Sequence, residues 1–139
     1  MVFKELDKYK QNGNFFFEKG TTLKVASKDV SNRPGVYYVL KLSKGKIELV
    51  YIGKSGSILQ NGNFKDQLLF KRLNNKQEGV KRQIFFDAKI LKEDINSLNI
   101  YWFVTIDENN NDLPGYVEGL LMQRFYEVYG CLPAWNKCF

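Results

Sequence analysis

Histidine is absent from this chain of 139 residues, and cysteine occurs only at Cys131 and Cys138. Without histidine there is no imidazole base, and two cysteines cannot complete a Cys/His zinc site of the usual ligand count. The two thiols could pair near the C-terminus, but no disulfide is required, and reduced cysteines are expected. No apolar run approaches membrane-spanning length, and the start MVFKELDKYK lacks a signal-peptide core. A cytoplasmic protein without a membrane partner is therefore expected. A phosphate-cradling P-loop is excluded, because Gly53-Lys54-Ser55 lacks the preceding glycine at the required spacing.

What the chain does have is aromatic side chains and positive charge. An apolar content of 44%, with 11 Phe and 8 Tyr, fits one domain with a modest, aromatic-rich core. A formal net charge of +6 favours a polyanionic partner.

The segment GVYYVLKLSKGKIELVYIG, from Gly35 to Gly53, organises the rest. It reads as two strands, Val36 to Leu42 and Lys46 to Ile52, joined by a glycine-containing turn. A two-residue turn at Lys44-Gly45 would put Tyr37 opposite Ile52, with Tyr37 and Tyr51 on opposite faces. A three-residue turn, Ser43-Lys44-Gly45 with Gly45 in a G1 bulge, would put Tyr37 opposite Tyr51 on one face. Glycine third in the loop favours the latter, so two phenols are expected side by side at the open end, where Gly35 and Gly53 give the backbone room.

Upstream, residues 1–34 read as an extension packed on the same domain. Met1 to Lys10 has a short amphipathic helical pattern, Phe15-Phe16-Phe17 suits a strand or plug, and Thr22 to Ala26 is weakly strand-like. Downstream, Gly56 to Lys65 is a polar loop. Asp66 to Lys76 is predicted to be a helix burying Leu69, Phe70 and Leu73, with Arg72 at the edge of that stripe. A second helix is predicted over Val80 to Leu91, with Lys81 and Arg82 in its first turn. A basic residue there is poorly placed for the helix dipole, which suits contact with a nucleic-acid backbone from the rim. Ile100 to Ile106 is a buried strand, and Asp112 is a plausible N-cap for a helix from Pro114 to Tyr129, closed by Gly130. On that helix Glu118, Leu121, Met122, Phe125 and Tyr129 share one face. A carboxylate on a core-facing stripe is costly unless paired or bound to a cation. Trp135 ties down the tail, and Asn136 can hydrogen-bond near the same cavity.

Gly35-Val36-Tyr37 and Tyr51-Ile52-Gly53 resemble the paired motifs of the GIY-YIG nucleases, with valine for isoleucine in the first. The resemblance continues in order through Lys54, Arg72, Glu118 and Asn136, about three quarters of the chain. Arg72 lies further beyond Gly53 than is usual, because of the Gly56 to Lys65 insertion, so Arg82 is an alternative for the arginine. A histidine found after the arginine in some relatives has no counterpart. The resemblance implies a small α/β (α+β) fold: a three-stranded antiparallel or mixed sheet flanked by helices, with a catalytic core over residues 35–136. It also implies a metal-dependent DNA endonuclease, of restriction, mobile-element or repair type. Glu118 would hold one Mg²⁺ (or Mn²⁺) per active site, Arg72 and Lys54 would neutralise phosphate, and Tyr51 would orient water or phosphate. The family is thought to use the tyrosine at Tyr37 for proton abstraction, helped here by cationic neighbours. Lys65, Lys81 and Arg82 are expected to contact DNA, with recognition through the Asn61 to Lys65 loop, the extension or homodimerisation. The alternative function is a basic nucleic-acid-binding module without cleavage.

Overall fold

The computed structural model describes residues 3–65 and 68–139. In chain order its elements are β1 (Asn12–Phe17), α1 (Leu23–Ala26), β2 (Gly35–Ser43), β3 (Lys46–Lys54), α2 (Leu69–Leu73), β4 (Lys76–Gln77), β5 (Val80–Lys81), α3 (Arg82–Lys92), β6 (Ser97–Val104) and α4 (Pro114–Tyr129). A 3-10 turn at Lys4–Leu6 precedes them. The main sheet is antiparallel and four-stranded, in the order β1-β6-β2-β3. This corrects the expected three strands. The fourth strand, β1, comes from residues 1–34, where Asn12 to Phe17 pairs with the outer side of β6, so the extension belongs to the sheet itself.

Helices cover both faces. On one face Tyr37, Val39, Val50, Ile100 and Val104 pack with Leu69 and Leu73 of α2 and Phe86 and Ile90 of α3. On the other, Val36, Leu49 and Ile52 pack against Val117, Leu121, Met122 and Phe125 of α4, with Phe3, Leu6 and Tyr9 alongside. None of the described helices is long and apolar enough to cross a membrane.

The β2–β3 hairpin reaches the expected arrangement of its tyrosines by a different route. Its turn has two residues: Lys44 and Gly45 have φ of 53° and 74°, as a type I′ turn requires, and Ser43 pairs with Lys46. That register alone would have sent Tyr37 and Tyr51 to opposite faces. A β-bulge corrects it: Leu40 faces Leu49 but Val39 faces Tyr51, leaving Val50 as the extra residue. Val50 and Tyr51 both side with the α2–α3 core although they are consecutive, as a bulge permits. Tyr37 consequently lies opposite Gly53, and Tyr51 is its diagonal neighbour on the same face.

Other local expectations change for identifiable reasons. Thr22 to Ala26 is not extended; in α1, Leu23 is 1% and Val25 66% exposed, a split that a strand, placing both on one side, could not make. The expected helix over Asp66 to Lys76 is only α2, Leu69–Leu73; Asp66 itself lies outside the described residues. Its end is taken by the small β4–β5 hairpin, which turns through Glu78 and Gly79, both at positive φ. In the expected N-terminal helix only Lys4–Leu6 is helical, and Met1 and Val2 lie outside the described residues. Strand β6 is shifted toward Ser97 and ends before Thr105. Asp112 does not cap α4; it accepts a hydrogen bond from Tyr9 Oη at 2.6 Å and pairs with Lys8 at 2.8 Å, pinning the N-terminal segment to the start of the helix. Gly130 closes α4 at φ 70° as expected, whereas Tyr129 is exposed rather than on the buried stripe. Cys131 and Cys138 are free and exposed.

Packing accounts for the motif glycines. A Cβ on Gly53 would stand 2.6–2.9 Å from the ring and hydroxyl of Tyr37, and one on Gly35 would stand 2.0 Å from the Phe103 carbonyl oxygen. Gly53→Ala is therefore expected to lose about 1–3 kcal/mol by overpacking, whereas Gly115→Ala, with open space at its Cβ position, should be close to neutral. Urea denaturation of the two variants checks this; equal stabilities would remove the steric account of Gly53.

Candidate active site

Tyr37 and Tyr51 sit at the open end of the hairpin with ring centroids 6.0 Å apart and planes inclined by 33°. Between them and α3 lies Arg82, only 1% exposed, its Cζ 5.5 Å from the Tyr37 centroid and 5.7 Å from that of Tyr51. This corrects the rim position expected for Arg82. It opens α3, but Asn75 O accepts the Arg82 N–H, and the β4–β5 hairpin folds over its side chain. Its guanidinium donates from Nη1 to Gln77 Oε1 and from Nη2 to the Arg72 carbonyl at 3.4 Å. A buried cation stays tolerable through such bonds and the two facing π-surfaces.

Tyr51, Arg72, Arg82 and Asn136 line one cavity of about 240 Å³ together with Lys76, Lys137 and Glu78, the last two paired at 3.3 Å. Tyr37 lies beneath it, fully buried, its hydroxyl without a hydrogen-bond partner among the described residues. Asn136 lines the cavity but spends its amide on the sheet edge: the Ile52 N–H donates to its Oδ1, and its Nδ2 donates to Ile52 O, each at 3.0 Å. Together with the Trp135 N–H donating to Val50 O at 2.8 Å, this tail replaces a neighbouring strand along β3 and fixes the backbone on either side of Tyr51. Lys54 opens onto an adjacent cavity, also about 240 Å³, with Pro114, Gly115 and Tyr116 at the start of α4. Lys65 and Lys81 are exposed and line neither cavity.

Glu118, partly buried one turn into α4, is a further carboxylate that lines neither cavity. Burial pushes its pKa from 4.5 up to about 6, against the pull of the Lys54 and Arg72 charges. No hydrogen bond or ion pair engages its carboxylate among the described residues, so it is not the acid half of a structural salt bridge. Tyr37 is shifted upward too: burial outweighs the opposing Arg82 and Arg72 cations, and the phenol is neutral at ordinary pH. The cationic neighbours act in the expected direction, lowering the Tyr37 pKa, but in the free protein burial outweighs them.

No protein-family model matches the chain, and comparison with curated proteins and with solved structures likewise finds no match.

The site also contains residues that the sequence reading passed over. Ser55, fully buried, joins the two motif ends: the Gly35 N–H donates to its Oγ at 2.9 Å, and its own N–H donates to Gly35 O at 2.8 Å. Gln77 holds Arg82, and Val50 supplies the bulge. Only Ser55 carried a sequence signal, its place directly after Lys54; Gln77 and Val50 matter through tertiary contacts alone.

As a cation site the donor set is sparse. Among the described residues no group of three His, Cys, Asp or Glu side chains converges. Glu118 alone suits a hard ion that keeps most of its own waters and takes few protein ligands.

The raised Glu118 pKa has a stability consequence whose sign is fixed. Its protonated form is favoured in the folded state, so its contribution is complete below pH 4.5 and is lost as pH rises through about 6. Glu118→Gln removes the desolvated charge. It should be more stable than the parent at pH 7.5 by about 1 kcal/mol, allowing for solvent screening, and the gain should vanish at pH 4. Denaturant midpoints at the two pH values test this; a gain at pH 4 but none at pH 7.5 would reverse the assignment.

Proposed function

We propose that this protein is a divalent-metal-dependent endonuclease that hydrolyses DNA phosphodiester bonds, with Tyr37, Tyr51, Arg72 and Glu118 at its centre and Lys54 beside them. The observation that carries this reading is the pairing of a two-tyrosine, two-arginine cluster with a partly buried carboxylate, unpaired among the described residues, that feels both Lys54 and Arg72. Such a cluster suits a phosphate approached by a cation from each side. The net charge of +6 and the resemblance of Gly35 to Gly53 to the GIY-YIG nucleases support the same reading.

The roles follow from the chemistry of each group. Arg72 can bind non-bridging phosphate oxygens bidentately, and it lines the open cavity. Lys54 adds a second charge on the Glu118 side. Arg82, enclosed and already bonded to Gln77, holds the two phenols in place and adds fixed positive potential beneath the phosphate. The neutral Tyr37 hydroxyl, without a hydrogen-bond partner among the described residues, can accept a hydrogen bond from an attacking water or donate one to a phosphate oxygen once bound substrate uncovers it at the floor of the cavity. Glu118 would hold a Mg²⁺ or Mn²⁺ ion, which when bound supplies Lewis-acid charge at the phosphate oxygens. The ionised carboxylate needed for that role prevails above pH 6.

Supercoiled plasmid incubated with Mg²⁺ should be nicked, and EDTA should abolish the nicking. Glu118→Gln should lower cleavage at saturating enzyme by at least about 100-fold, and Arg72→Ala by a similar factor, while DNA affinity stays within about threefold. DNA binding without cleavage in Mg²⁺ and in Mn²⁺ would instead identify a non-catalytic binding module.

A further inference from the structure

A groove of about 680 Å³, far larger than the 240 Å³ cavity at Tyr51, runs between α1, α2 and the start of α3. Its lining includes Lys24, Lys71 and Lys81 together with Thr22, Phe70 and Asn75, and among the described residues no carboxylate. The wall between groove and active-site cavity is shared. Two consecutive basic pairs straddle it: Lys71 and Lys81 line the groove, whereas their neighbours Arg72 and Arg82 line the cavity. The opposite wall, Thr22 to Lys24, comes from residues 1–34 and is lashed in place. Gln83 Oε1 accepts the Leu23 N–H, Gln83 Nε2 donates to Thr21 O at 3.2 Å, and Asn74 Nδ2 donates to Ser27 Oγ at 3.0 Å. Asp87, the carboxylate bonded to Gln83 Nε2, stands outside the lining.

We infer that this groove binds the sugar-phosphate backbone of duplex DNA on one side of the cleaved bond. The N-terminal extension thereby supplies one wall of the DNA-backbone contact. Charge complementarity selects the occupant: the ammonium groups of Lys24 and Lys81, with no carboxylate among the described lining residues, suit successive phosphates. The groove is fixed before binding, so little ordering is lost on association. Lysines on flexible stems contact phosphates without reading bases, so the groove supplies affinity and orientation, and sequence preference arises elsewhere. The inference rests on the nucleic-acid reading of the neighbouring cavity.

The test is affinity for a fluorescent DNA duplex, measured without divalent ions across a salt series, so that binding is read independently of cleavage. The full chain carrying Lys24→Gln with Lys81→Gln is compared with the parent. A charge-matched control carries Lys44→Gln with Lys46→Gln at the β2–β3 turn, outside the groove lining. The groove variant should bind about tenfold more weakly at physiological salt, with the slope of log affinity against log salt reduced by about two. The control should change affinity by less than about threefold. Unchanged affinity in the groove variant, as for a groove that takes an acidic protein, or equal losses in both variants, would overturn the inference. Plasmid nicking by the parent is scored separately. Groove-dependent binding without nicking retains the groove and removes the nuclease, whereas nicking with groove-independent binding does the reverse.

Discussion

The enclosed guanidinium of Arg82 is the contact on which the candidate site depends, because it is the polar group at which several elements of the α2–α3 core meet. Tyr37 and Tyr51 come from the central hairpin, Gln77 from the small β4–β5 hairpin, and the Arg72 carbonyl from α2; all meet that one group. A buried arginine loses much hydration, and removing any partner would leave it under-compensated. Its neighbours are correspondingly constrained: Gly53 must stay bare to admit the Tyr37 ring, and the Val50 bulge must bring Tyr51 to the same face. The tail acts on the same strand from outside, where Asn136 and Trp135 bond to the backbone of Ile52 and Val50.

Around this fixed cation the remaining charges are arranged asymmetrically. Arg72 and Lys54 open onto cavities, and Glu118 feels both without pairing to either. A structural ion pair would have neutralised the carboxylate and lowered its pKa; burial instead raises it. In the proposed reading, a carboxylate kept in that condition would receive a cation that arrives with substrate. The groove on the far side of α2 extends the positive surface away from this centre.

Much of this was legible in the residues. The bounds of α4 follow from Pro114 and Gly130, the hairpin strands from their β-branched and aromatic run, and the position of Arg72 from the Leu69 and Leu73 stripe. The turn was not legible, since Lys44-Gly45 satisfies either loop length locally and the core face decides between a G1 bulge at the turn and a bulge at Val50. Burial of Arg82 was hidden for a related reason. Lys81-Arg82-Gln83 reads as a polar helix start until the Glu78-Gly79 turn folds Gln77 back over it. Strand β1 was obscured because Asn12-Gly13-Asn14 suggests a break, yet Gly13 is where Trp102 closes over the strand.

The Tyr37 hydroxyl tests the account most directly, being buried and without a hydrogen-bond partner among the described residues. A structural hydroxyl of that kind contributes nothing that phenylalanine lacks, so Tyr37→Phe should be as stable as the parent or slightly more so. If the hydroxyl instead works on the phosphate or its attacking water, the same variant should cleave DNA at least about 100-fold more slowly. The measurement is the single-turnover cleavage rate with enzyme in excess, read beside the denaturation midpoint. Intact stability with lost cleavage is the predicted result, and cleavage at the parental rate would contradict it.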